Sequence, residues 1–126
     1  MLPLSSPYKK QKRRYFRLNV SLPIHIKLCG SDNVLRRYTS DISAGGIKFS
    51  HSKLIEIGTN LEVKIPDILG EKTIKAIVIR TEQEDIGKIN KYNIVIQFVD
   101  ICERTRDKIV KFILEKQREL RKKGFE

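Results

Sequence analysis

The sequence predicts a mainly β protein: a closed barrel of six short strands, followed by one C-terminal α-helix. Three observations predict it. Apolar residues recur at every second position from Phe16 to Leu28, and again from Tyr92 to Phe98. Between these stretches lie further short runs of strand-forming residues, separated by turn segments that carry Gly30, Gly45, Gly46, Gly58, Gly70 and Gly87. After Asp100 the apolar spacing changes to that of a helix. Short strands divided by regular turn signals are the pattern of a barrel or sandwich.

Residues 1–12, with two prolines, two serines and a lysine run but no periodicity, are expected to be a flexible basic arm or linker. The domain proper is expected over 13–126, with strands at about 16–99. Phe16, Leu18, Val20, Leu22, Ile24, Ile26 and Leu28 alternate with mostly polar residues, which argues for one long strand with a face on the core. Pro23 cannot donate to a ladder and marks a bend or an edge within it. His25 falls on the polar face and reads as a surface residue. After the Gly30–Asn33 turn come Val34 to Ser40, a loop from Asp41 to Gly46, and a short strand from Ile47 to Ser50. Leu61 to Ile65, Thr73 to Arg80 and Tyr92 to Val99 complete the six. In the helix, expected at about 103–123, Ile109, Phe112, Ile113, Leu120 and the stem of Lys116 share one stripe. Asp100 and Glu103 have capping-box spacing, and Arg121, Lys122 and Lys123 suit the negative helix end. The helix is expected to plug or flank the barrel.

At 126 residues the chain can bury a sizeable core without disulfide staples. Cys29 and Cys102 match no metal or redox spacing and read as reduced thiols in a cytoplasmic protein. No apolar run has signal-peptide form or membrane-span length. The net charge of +11 is unevenly placed: residues 1–40 hold nine basic residues against one acid, Asp32. Such a concentration favours an anionic partner at that end. Enzyme signatures are missing. The two histidines, His25 and His51, have no ligand spacing, and Gly45-Gly46 precedes a strand rather than a helix. Neither histidine is placed to activate Ser43, so no catalytic residue, metal or cofactor is expected.

Two constellations carry binding chemistry. Arg13-Arg14-Tyr15-Phe16-Arg17 contains R-x-x-x-R, with Arg17 projecting outward beside apolar Phe16 and Leu18. Guanidinium forks bind phosphate bidentately, stack on purines and donate to the O6/N7 edge of guanine. Asp41-Ile-Ser43-Ala-Gly-Gly46 reads D-x-S-x-x-G. Asp41 is an acceptor suited to the N1–H and N2–H₂ donors of guanine, and Ser43 can serve the ligand or the loop. Gly46 allows positive φ or the close approach of a ligand. Taken singly, each motif is also compatible with a basic linker or an ordinary Asp/Ser/Gly turn.

Together, in this order, the two motifs resemble the PilZ domain family of bacterial cyclic di-GMP receptors. The resemblance extends through Tyr92–Asp100 and the basic helix, and so covers nearly the whole chain. It implies an antiparallel six-stranded barrel of the split-barrel type, with cyclic di-GMP held by Arg13, Arg17, Asp41, Ser43 and Gly46. Arg14 and Lys12 flank the first motif and add charge. Cys102 departs from the serine expected at the helix start. The chain is also similar to the C-terminal half of flagellar-brake proteins, in which residues 1–12 would be the remains of an interdomain linker.

The implied output is a ligand-driven change of shape that regulates motility or exopolysaccharide production. The protein target would be the flagellar motor or the polysaccharide synthesis machinery, and the protein a monomer or a ligand-linked dimer. The alternative is a basic β-barrel binding RNA or single-stranded DNA. Single-strand platforms need exposed aromatics at alternate strand positions, whereas Phe16, Phe49 and Phe98 read as core.

Overall fold

Among the described residues, six antiparallel strands close into a barrel, in a computed structural model that describes residues 16–87 and 89–122. The strands are β1 (Pro23–Leu28), β2 (Val34–Ile42), β3 (Gly46–His51), β4 (Asn60–Lys64), β5 (Thr73–Ile86) and β6 (Ile89–Val99). Their order around the barrel is β1-β2-β3-β6-β5-β4, which leaves no open edge. A one-turn helix, α1 (Pro66–Leu69), joins β4 to β5, and α2 (Glu103–Lys122) follows β6.

Strand alternation builds the interior. Ile24, Ile26, Phe49, Leu61, Val63 and Ile94 are fully buried, while their sequence neighbours face out. Each such side chain contributes on the order of 1.5–3 kcal/mol by leaving water. Ile109 and Ile113 of α2 join the same core, with Phe112 and Leu120 packed partly against it. Thr105, one turn before Ile109, is also buried and lies outside the apolar stripe read from sequence.

The structure departs from the sequence reading in five places. The long first strand is interrupted, and β1 begins only at Pro23, which pairs with Tyr38 as the first residue of its strand. Upstream, residues 16–22 stay extended and keep the alternation, because Leu18 and Leu22 are buried. Phe16 is 52% exposed, so it lies beyond the wall rather than in the core. Asp41 belongs to β2 rather than to a loop. The β5–β6 hairpin extends past the predicted strand ends, with Glu82, Gln83 and Glu84 opposite Asn93, Tyr92 and Lys91. This polar stretch reads as loop by composition, and it is paired by its backbone and by Lys91–Glu84 at 3.6 Å. Helix α1, which carries no apolar repeat long enough to read, starts with Pro66 in its first turn and ends at Gly70, where φ is +62°. Finally, the helix cap is Cys102 rather than Asp100: its carbonyl accepts the first helical bond from Arg106 N–H at 3.0 Å. Its sulfur lies 3.1 Å from the Thr105 hydroxyl. That contact and bonds from the Thr105 and Arg104 backbone lower the Cys102 thiol pKa from its ordinary value.

At one end of the barrel Arg37 and His51 meet, with Arg37 Nη2 3.0 Å from His51 Nδ1. A guanidinium can only donate, so Nδ1 accepts and the ring is neutral. Burial, then the charges of Arg37 and Lys53, lower the His51 pKa to match.

Residues 18–22 are held to β2 by a small set of bonds. Leu18 and Ile42 exchange two backbone hydrogen bonds at 2.9 and 3.0 Å. Thr39, buried on β2, accepts at its hydroxyl from Leu22 N–H (2.9 Å) and donates to the Val20 carbonyl. Its own N–H donates to the Leu22 carbonyl at 2.9 Å. Thr39→Val keeps the shape and leaves the Leu22 donor unsatisfied. It is expected to lower stability by about 1–3 kcal/mol, read as a reduced denaturant midpoint at unchanged m-value.

Candidate functional site

The site stands on the outer wall of β2, β3, β6 and β5. Register aligns two rows of side chains there. The inner row runs Leu18, Ile42, Ile47, Ile96, Val78, every member at most 7% exposed. The outer row, one residue along β2, β3 and β6 and two along β5, runs Asp41, Lys48, Val95, Arg80. The Leu18–Ile42 bridge is antiparallel, so it sets Asn19 opposite Asp41, and Arg17, flanking Leu18 on the same outward face as Asn19, reaches Asp41 diagonally with its long side chain.

Two β-bulges make the outer row possible. On β2 the inward positions are Leu35, Arg37 and Thr39, and unbroken alternation would turn Asp41 into the core. The register shift between Thr39 and Asp41 gives Ile42 the inward place instead. On β5, Ile74, Ala76 and Val78 point inward, and Arg80 would follow them. The shift between Val78 and Arg80 brings Arg80 out opposite Val95 and leaves Ile79 46% exposed. Bulges re-aim side chains in this way beside functional sites. Here they rescue two charges from an apolar interior that would exact a heavy desolvation cost.

Arg17 Nη2 donates to Asp41 Oδ1 at 2.7 Å, with the two side chains 27% and 14% exposed. The bond is charge-assisted and joins motifs that are 24 residues apart. Beside it opens a cavity of about 640 Å³, lined by Arg17, Asn19, Asp41, Lys48, Ile79, Arg80 and Val95. That is within the usual range of small-molecule sites. No ion pair to Lys48 is found among the described residues, and Arg80 makes only an exposed contact to Glu82 at 3.3 Å. Such a surface pair contributes little, so both cations remain available to an anion. Val95 is only 6% exposed although it faces outward, and with Ile79 it gives the cavity an apolar floor.

The other predicted residues are placed differently. Ser43 is buried, and its hydroxyl accepts from Gly45 N–H at 3.1 Å while its own N–H donates to the Gly46 carbonyl at 2.9 Å. Its hydroxyl therefore serves the turn. Gly46 does not take positive φ. A Cβ there would collide with the Ile96 carbonyl oxygen and sit 3.3 Å from Gln97 Cα, so the glycine lets β3 approach β6. Arg13, Arg14 and Lys12 lie outside the described residues.

Sequence reasoning missed Asn19, Lys48, Ile79, Arg80 and Val95. Lys48 was recoverable, because it sits between the inward residues Ile47 and Phe49. Arg80 was not, because the bulge that turns it out leaves no mark in composition. Among the described residues no group of three His, Cys, Asp or Glu could hold a metal ion, and no helix is long and apolar enough to cross a membrane.

A family model described as the PilZ domain matches residues 11–115. The chain belongs to the PilZ domain family. Solved structures agree on the fold. The PilZ domain of YcgR from Escherichia coli, solved with c-di-GMP, is 22% identical with a TM-score of 0.68, covering 90% of this chain and 98% of that one. The Bacillus subtilis inhibitor of motility MotI/DgrA is 21% identical with a TM-score of 0.67, over 85% of this chain and 52% of that one. MrkH of K. pneumonia, solved as a c-di-GMP complex, is 18% identical with a TM-score of 0.73, over 89% and 55%. The chain thus spans about half the length of MotI/DgrA and MrkH. No curated protein matches it.

Within this PilZ domain the glycine of the second motif has a structural duty that can be measured. Gly46→Ala must move β3 away from backbone atoms that cannot yield. It is expected to cost about 1–3 kcal/mol in thermal or denaturant unfolding, the usual range for overpacking.

Proposed function

We propose that this PilZ domain is a receptor for cyclic di-GMP, bound on the outer wall at the Arg17–Asp41 pair. The single observation that supports the reading most is that pair. It joins the R-x-x-x-R and D-x-S-x-x-G segments at the mouth of a cavity that also carries Lys48 and Arg80. Arg17, with Arg13 and Arg14 from the preceding chain and Lys12 beside them, supplies guanidinium and ammonium groups to phosphate and to the O6/N7 edge of guanine. Asp41 accepts from guanine N1–H and N2–H₂. Lys48 and Arg80 neutralise phosphate, and Ile79 with Val95 lies beneath a purine. Ser43 and Gly46 act by holding the turn that follows the β2 end bearing Asp41.

The role proposed is that of a cytoplasmic receptor rather than an enzyme, in keeping with the free thiols of Cys29 and Cys102. It acts on a protein target in motility or polysaccharide production. YcgR and MrkH were solved with c-di-GMP and MotI is an inhibitor of motility, which supports both ligand and setting. Nothing favours RNA or single-stranded DNA. Phe16 is exposed, contrary to the sequence reading, but it lies outside the strands, and Phe49 and Phe98 are buried. They form no stacking platform.

Calorimetric titration is expected to saturate with cyclic di-GMP and to give little heat with cyclic di-AMP, since adenine offers Asp41 no matching donor pair. Equal affinity for both would overturn the assignment. Arg17→Ala and Arg13→Ala are each expected to weaken cyclic di-GMP binding by about 1.5–3 kcal/mol with the fold intact. Lys48→Ala and Arg80→Ala should weaken it in the same direction, and Lys122→Ala, at the far end of α2, should be nearly silent. Equal losses in all five would mean diffuse attraction rather than a site.

A further inference from the structure

We infer that the opposite wall of the barrel, formed by β2, β1, β4 and β5, is a docking surface for an acidic segment of a partner protein. The wall carries a second concavity of about 390 Å³, lined by His25, Lys27, Val34, Arg36, Glu62 and Lys64 with Ile26 and Thr73. It is separate from the Arg17–Asp41 site and does not depend on that site's ligand.

Register explains why charge collects there. Across the strands one outward row runs Arg36, His25, Lys64, Thr73. The next runs Val34, Lys27, Glu62, Lys75. Arg36 and Lys64, two strands apart, thus flank a histidine in one row with no carboxylate between them in that row, and like charges so placed repel. Glu62, between Lys27 and Lys75, is the single carboxylate in the second row. Among the described residues Lys64 is ion-paired only with Glu71, at 3.3 Å, and Glu71 is 91% exposed, so the pair contributes little. No ion pair to Arg36 or Lys27 is found among the described residues. An anion seated across Arg36, Lys27 and Lys64 removes this repulsion.

The surroundings select the class of anion. Glu62 lies within the concavity and repels a continuous phosphate track. Tyr38 is 66% exposed at the edge of this wall, one aromatic rather than the alternating set that stacks bases. Val34, 48% exposed, and Tyr38 lie on either side of Arg36 along β2 and offer apolar contacts beside it. A segment in which carboxylates alternate with apolar side chains fits both. Because the barrel is closed, every strand edge on this wall is paired, so the segment is held by side chains rather than by added strand pairing.

The test is an amide-resolved NMR titration of the full chain, free of nucleotide, with a ten-residue peptide of alternating glutamate and leucine. Its glutamine counterpart is the control. Shifts are expected to concentrate at His25, Lys27, Arg36 and Lys64, with no response to the control. Arg36→Glu/Lys64→Glu is expected to weaken binding about tenfold or more, whereas the charge-matched Lys108→Glu/Lys111→Glu on α2 changes it less than about twofold. Arg36→Gln/Lys64→Gln replaces the first variant if new repulsion between position 64 and Glu71 unfolds it. Shifts spread over the whole surface, or equal losses in the two double variants, overturn the proposal. So does tighter binding at this wall by a single-stranded oligonucleotide or by anionic phosphatidylserine vesicles, either of which would reassign it.

Discussion

A closed barrel favours one pattern along a strand, apolar in and polar out, and this site exists where that pattern is broken. On β2 and on β5 the residue that alternation would send inward is charged, Asp41 in one strand and Arg80 in the other. An unpaired charge inside such a core is not tolerated, because its desolvation far exceeds the marginal stability of a domain. The bulges at Ser40 and Ile79 each insert one residue and bring the charge out, which returns Ile42 to the inner face on β2 and sets Thr81 opposite buried Ile94 on β5. Both lie in strands that border the same outer row. Lys48 and Val95 occupy that row without any bulge, so four strands converge on one patch.

Arg17 reaches this patch by a different route. Its segment is not a strand, yet the Leu18–Ile42 exchange and the three bonds at Thr39 fix both its distance and its facing. Leu18 and Leu22 supply the apolar anchor, and Pro23 then turns the chain into β1 with no donor lost from the ladder. Few backbone bonds hold 16–22 compared with any barrel strand, and segments of that kind open first. Under the proposed reading, the guanidinium of Arg17 is therefore carried to the ligand by the part of the wall that is cheapest to move.

Much of this was legible in the sequence, and what was not has identifiable causes. The alternation from Leu18 to Ile26, the glycine-marked turns and the change of period after Asp100 placed the barrel and the helix. Asp41 and Arg17 stood out as charged residues beside apolar ones. The break at Pro23 was readable as a bend, but not the loss of pairing before it, which depends on where β2 ends. The β5–β6 extension is held by backbone pairing and complementary charge, and a polar composition cannot distinguish that from a loop. Gly46 was singled out correctly as a position intolerant of a side chain, but the obstacle is the Ile96 carbonyl, which is remote in sequence. Arg80 could not be found, because alternation counted through Ile79 assigns it to the interior.

The Arg17–Asp41 bond looks at first like an obstacle, since it already occupies both groups that a guanine nucleotide would need. The inventory of donors and acceptors argues otherwise. A guanidinium has five N–H donors, and the bond to Asp41 uses Nη2; a carboxylate has two oxygens, and among the described residues only Oδ1 is engaged. The remaining donors of Arg17 and Oδ2 of Asp41 are left for the cavity side. Holding a long arginine in one rotamer removes much of the side-chain entropy cost that ordering it on binding would incur, about 0.5–1.5 kcal/mol per side chain. A ligand that adds to the pair keeps that advantage, whereas one that must break it forfeits a charge-assisted bond in a half-buried setting. Under the proposed reading the site therefore favours ligands that present an anion and a donor edge together, close enough to meet Arg17 and Asp41 without separating them.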